Sequence, residues 1–153
     1  MSPTRVCQMV RGNGMNRCVV FVFGLAPLEV RRQIAMLGVI HRCVLGLGPP
    51  HFSSFFKRVV EPQVGRDTRS SRRLHSCQLE DIRNGKFLEV QRRSALGLVW
   101  VYNHLPGNLV EATRLSSFQR GLQEFVKARV LDGCDDWRET LSSRVEVARH
   151  PLR

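Results

Sequence analysis

The sequence predicts an all-α protein, a small irregular helical domain of four to five helices with a disordered N-terminal leader and a basic central loop. Three observations carry that prediction. Apolar residues recur at spacings of three and four over two long stretches, 30–47 and 115–126. Proline, glycine and capping residues punctuate the chain where those stretches begin and end. The most apolar run, Ala95 to Tyr102, sits in a longer stretch whose length favours a helix over a strand. With 153 residues, the chain has the length of one ordinary domain. The expected organisation is a leader at 1–28, a helical domain at 29–142 with a basic loop-and-turn region at 63–86, and a frayed C-terminus at 143–153.

The leader is set apart by charge. Arg5, Arg11 and Arg17 come with no acid, ahead of an apolar stretch from Cys18 to Ala26. A basic start and a short apolar core partly imitate a signal peptide, but the basic region is too long and Pro27 follows the one plausible cleavage point. Gly12 and Gly14 interrupt the helix a mitochondrial presequence would need. A loosely attached leader is the expectation.

The spacing predicts the first helix over 27–47. Pro27 suits the first helical position, where a missing N–H costs nothing, and Glu29 favours the positive end of the helix dipole. Val30, Ile34, Leu37, Ile40, Val44 and Leu47 form its apolar stripe, and Gly46, Gly48, Pro49 and Pro50 stop it. A short second helix follows Pro50, with Phe52, Phe55, Phe56 and Val59 as core residues and Pro62 closing it. Residues 63–76 are polar and arginine-rich, hence a loop. Asn84-Gly85 is a tight-turn signal. Over 87–105, Phe87, Val90, Ser94, Leu98, Val101 and Leu105 suit a helix that Asn103, Pro106 and Gly107 end. Thr113 is a good N-cap for the next helix. Its apolar face is Leu115, Phe118, Leu122, Phe125 and Val126, and Gly133 supplies the stop. Asp136 with Glu139 has the form of a capping box opening a short helix that carries Trp137 and Leu141.

Charge narrows the partners. The net charge is +11, from 24 basic and 13 acidic residues, and only Lys57, Lys86 and Lys127 are lysine. Residues 1–60 hold eight basic residues against one acid, 61–93 eight against five, and 94–153 eight against seven. A field of this sign favours polyanions, and arginine's planar fork suits phosphate. Two sets are placed to contact a nucleic-acid backbone: Arg31, Arg32 and Arg42 on the first helix, and Arg66, Arg69, Arg72 and Arg73 in the loop. No apolar run approaches the ~18 residues that span a membrane, so a membrane is not an expected partner. A small-molecule substrate is not expected either.

Reactive centres are not expected. Zinc wants closely spaced ligand pairs. His41 with Cys43 and His75 with Cys77 lie two apart, which on a helix points them away from each other, and no Cys-x-x-Cys occurs. Cys134 precedes Asp135 and Asp136, whose charges would blunt its thiolate. There is no Gly-x-Ser-x-Gly and no phosphate-binding glycine loop. Asp135-Asp136 reads as helix capping. Five cysteines without paired spacing fit a reducing compartment, cytoplasm or nucleus. The expectation is no catalytic residue, no metal and no cofactor.

Two blocks resemble a known family. Arg31-Arg32-Gln33-Ile34-Ala35-Met36-Leu37-Gly38-Val39-Ile40-His41-Arg42, then Val44-Leu45-Gly46-Leu47-Gly48-Pro49-Pro50-His51-Phe52, form the first. Arg93-Ser94-Ala95-Leu96-Gly97-Leu98, Val101-Tyr102-Asn103-His104-Leu105-Pro106 and Phe118-Gln119-Arg120-Gly121-Leu122 form the second. In order and spacing they resemble the tail of non-LTR (LINE or jockey-type) retrotransposon polyproteins, downstream of the reverse transcriptase core, over roughly residues 29–142. The resemblance implies a non-catalytic accessory region that packs on a reverse transcriptase core and helps hold template RNA or target DNA. Polymerisation in that family needs metal-binding aspartates, including an aromatic-x-Asp-Asp turn. Here Asp135-Asp136 follows Gly133-Cys134, so no catalytic residue carries over. Three functional readings stand open at this point: weak, sequence-tolerant nucleic-acid binding; a helical module that completes another protein; and a translated remnant without a selected function.

Overall fold

A computed structural model describes residues 26–59, 74–81 and 88–153. Among them are six α-helices and no strand: α1 (Leu28–Val44), α2 (Pro50–Ser53), α3 (Leu88–Arg92), α4 (Leu98–Asn103), α5 (Gly107–Val110) and α6 (Leu115–Leu131). Three-ten turns occupy Ala95–Gly97 and Val147–Arg149. The protein is all-α. None of the described helices is long and apolar enough to cross a membrane.

The two long helices form where the apolar period is cleanest. On α1, Val30, Ile34, Leu37, Ile40 and Val44 are buried. Pro27 is the residue before the first turn rather than the first helical residue, and its carbonyl accepts the Arg31 N–H. On α6, Phe118, Leu122 and Val126 are buried. Arg114, not Thr113, occupies its N-cap, and no side chain caps it there. Both helices end alike. Gly46 and Gly133 have φ of 74° and 76°, and paired bonds run back into the last turn. Gly46 N–H reaches Cys43 O and Leu47 N–H reaches Arg42 O; Gly133 and Cys134 repeat this on Val130 O and Arg129 O. This is the Schellman arrangement, in which a left-handed glycine lets orphan carbonyls be satisfied.

α1 packs along α6 and against α4, and α5 covers α6. Gly38 permits the first contact: a Cβ there would lie 2.6 Å from Gln119 Nε2. Tyr102, Phe118, Leu37, Ile40, Leu79 and Trp137 are among the largest fully buried side chains. The 74–81 segment joins this core without a helix. Val59 N–H bonds Gln78 O and Glu80 N–H bonds Lys57 O, each at 2.9 Å, around an antiparallel bridge of Arg58 and Leu79. Leu79's own N–H and C=O face the other way, onto the Asn103 side chain: Oδ1 accepts from Leu79 N and Nδ2 donates to Leu79 O, both at 2.8 Å. One amide side chain thus stands in for a neighbouring strand, and no buried backbone group of Leu79 goes unpaired.

Several expectations are corrected. Of the stretch 87–105, the described residues 88–105 form two α-helices and a three-ten turn. Of the three phenylalanines expected in the core, only Phe56 is buried; Phe52 and Phe55 are exposed because α2 ends at Ser53, so its period does not carry them inward. Leu47 is exposed beyond the glycine stop. Asp136 stands in a series of turns rather than opening a helix, and its carboxylate takes Arg129 Nη2 at 3.1 Å instead of closing a capping box. Trp137 and Leu141, expected on that helix, are buried on the turns instead. The end of the chain, expected to fray from Ser143, has its own three-ten turn, and His150 is buried. Most of the leader, the loop arginines Arg66, Arg69, Arg72 and Arg73, and Asn84-Gly85 lie outside the described residues.

Candidate nucleic-acid interface

Three pieces of chain, far apart in sequence, converge on one open cleft of about 490 Å³. The N-terminal half of α1 contributes Glu29, Arg32, Gln33 and Met36, the approach to α4 contributes Arg93, Ser94, Ala95 and Leu98, and the C-terminal segment contributes Ser142, Ser143 and Arg144. A smaller hollow of about 310 Å³ shares Arg93 and Arg144 and adds Glu89 and Arg92. Amphipathicity explains the α1 wall: Val30 and Ile34 turn inward, which leaves Arg32 and Met36 facing out.

The rim is fixed by backbone-directed bonds. Ser94 Oγ donates to Gln91 O at 2.7 Å and accepts from Leu96 N–H at 3.2 Å, so it caps the three-ten turn. Ser143 Oγ donates to Arg92 O at 2.6 Å, which ties the C-terminal segment to the cleft wall. Gly97 lies so close to Arg92 O that a side chain there would force a shift.

The arginines divide by occupation. Arg42 braces the end of α1 through Leu47 O, and Arg58 donates to Val44 O, both at 2.8 Å. Arg92 pairs with Glu89 at 3.0 Å, Arg129 with Asp136, and Arg138 lies over the Trp137 ring. Arg32, Arg93 and Arg144 have no ion pair among the described residues. All three are exposed and all three line the cleft. Glu29 is the only acid on the larger cleft, so its walls carry a surplus of positive charge. Gln33 adds a buried Oε1 that has no partner among the described residues.

Of the residues the sequence singled out, the structure brings Arg32 to this cleft. Arg31 is exposed outside its lining, and Arg42 is engaged at the other end of α1. Sequence reasoning missed Arg92, Arg93 and Arg144. Adjacent arginines between Gln91 and Ser94 were a visible signal. The near-balanced charge after residue 93 hid Arg144.

The histidines weighed as zinc ligands are committed elsewhere. His41 is fully buried. Its Nε2 donates to Ala112 O at 2.7 Å, its Nδ1 meets Tyr102 OH at 2.9 Å, and its ring stacks on Phe118 at 4.0 Å. His75 donates from Nε2 to Tyr102 O at 3.0 Å and accepts the Cys77 N–H at Nδ1. The two-residue spacing of His75 and Cys77 is therefore a local side-chain-to-backbone turn. Burial pushes both histidines below their ordinary pKa, and Arg58 adds to this at His41 and His104 at His75. Among the described residues no three His, Cys, Asp or Glu side chains gather as a metal site.

Compared with protein-family models, curated proteins and solved structures, the chain finds no match in any of the three.

Proposed function

We propose that the Arg32–Arg93–Arg144 cleft binds phosphates of a nucleic-acid backbone, weakly and without sequence preference. The observation that supports this reading is the convergence of three arginines free of ion pairs among the described residues, on a chain of net charge +11. Guanidinium groups at such a rim fork onto phosphate oxygens, and nothing about the contact reads a base. On this reading the chain is a non-catalytic module like the C-terminal region of a retrotransposon RNA-directed DNA polymerase, with a polymerase core as a further partner. Motif order and spacing support that kinship.

Filter binding of a labelled oligothymidylate over a salt series tests it. Each phosphate contact adds about 0.7 to the slope of log K against log salt for single strands. The triple variant Arg32→Ala, Arg93→Ala, Arg144→Ala lowers the slope by about 2. Absence of retention at low salt would remove the reading.

A second reading is a helical module that docks on another protein. Leu47, Phe52 and Phe55, exposed together around α2, favour it. A chain that stays monomeric in sedimentation up to high concentration, with no gain on removing Phe52 and Phe55, counts against it.

A further inference from the structure

We propose that His150 is a proton-operated latch on the arginine cleft: its neutral ring holds the C-terminal segment that carries Ser143 and Arg144, and protonation lets that segment go. The consequence for the cleft rests on the phosphate-binding reading above.

The bonding leaves room for one protonation state. His150 Nε2 lies 2.9 Å from Ser142 O, and Leu152 N lies 3.2 Å from His150 Nδ1. A carbonyl only accepts, so Nε2 carries a hydrogen. A backbone N–H only donates, so Nδ1 is bare. A second proton would set an N–H against the Leu152 N–H, losing one bond and placing two donors face to face in a buried site. His150 is the one buried residue from 143 to 153. What else holds this segment is limited: Ser143 Oγ on Arg92 O, the Arg144 N–H on Ser142 Oγ at 3.3 Å, the partly buried Leu152, and one three-ten turn.

The surroundings set the sensitivity. The Trp100 ring meets His150 edge to face at 4.5 Å and stacks on His104 at 3.9 Å. Burial opposes a charge on His150, and His104 opposes it further. The Ser142 carbonyl that Nε2 bonds favours it, as do Glu139 and Asp136 on the turns before the segment. The net effect holds the imidazole below its ordinary value, so the latch is closed at neutral pH and strained in mild acid.

The latch reverses an ordinary trend. Acid adds positive charge to histidines, which by itself strengthens binding to phosphate. Release of Arg144 and Ser143 weakens it. Loss of one arginine–phosphate contact costs up to about fivefold in affinity.

The full chain, labelled with ¹⁵N, tests both parts between about pH 7.5 and about pH 5.5. On acidification the amides of residues 143–153 move together to unstructured positions while those of α1 and α6 hold. Oligothymidylate affinity falls up to about fivefold, and in His150→Gln, which cannot titrate, the fall disappears. C-terminal amides that stay in place, or move only when α1 and α6 melt, overturn the latch. Amides that move while affinity rises as it does in H150Q overturn its link to the cleft. If no oligonucleotide binds at either pH, the phosphate reading and the link both fall, and the amides still judge the latch by themselves.

Discussion

Acidification should unfold this protein by a calculable amount. His41, His75 and His150 are each at most 7% exposed, and all three are held below their ordinary pKa of 6.5, first by burial. In the unfolded chain each takes up a proton as pH falls through about 6.5. The unfolded state then binds more protons than the native state, so stability rises with pH across this window and is lost below it. Between about pH 7.5 and about pH 5.5, an imidazole that stays neutral in the fold removes about 1.4 kcal/mol. His41 and His75 together remove up to about 3 kcal/mol, and His150 brings the total to at most about 4 kcal/mol. Against a typical domain stability of roughly 5–15 kcal/mol, that is a large fraction.

His75 and His150 should be the stricter pair, His150 only as long as its segment stays docked. Each has a backbone N–H aimed at its bare Nδ1, whereas Tyr102 OH opposite His41 can turn from donor to acceptor. Urea unfolding followed by helical circular dichroism at the two pH values measures the loss, read from the midpoint at constant m-value. The exposed His51 serves as control, since His51→Gln leaves the loss unchanged. A stability that is flat or rises on acidification across that window would refute the assignment of neutral, buried imidazoles.

Two further outcomes are expected. Asn103→Ala strands the Leu79 N–H and C=O in the core and lowers stability by about 2–4 kcal/mol, measured by the same unfolding assay; Asn103→Leu, similar in bulk, fails to restore it. Gly97→Ala drives a methyl against Arg92 O and costs about 1–3 kcal/mol, and it lowers oligonucleotide affinity beyond the loss seen with Gly121→Ala, which is crowded only by the flexible end of Leu109.

The sequence carried the local structure well where one helix face repeats. The stripes of α1 and α6 and the glycines that end them were legible because periodicity and left-handed backbone are properties of neighbouring residues. It failed where a short stretch takes its form from distant partners. Phe52 and Phe55 share their spacing with buried phenylalanines, yet α2 is too short to bring them inward. Thr113 has the better capping chemistry, yet the helix begins one residue later. The C-terminal residues carry no apolar stripe, so nothing in their order revealed that His150 sits against Trp100 and Ser142.

Fold class and excess positive charge were therefore fixed by the amino-acid order alone, since propensity, period and charge are sums over nearby residues. Which arginines stand together was not. Arg32, Arg93 and Arg144 meet because α1 packs on α4 and the last segment returns to Arg92 O. In the same way His41 meets Tyr102 across 61 positions. Such meetings depend on how the helices dock, and docking is decided by the shapes of the buried faces in three dimensions.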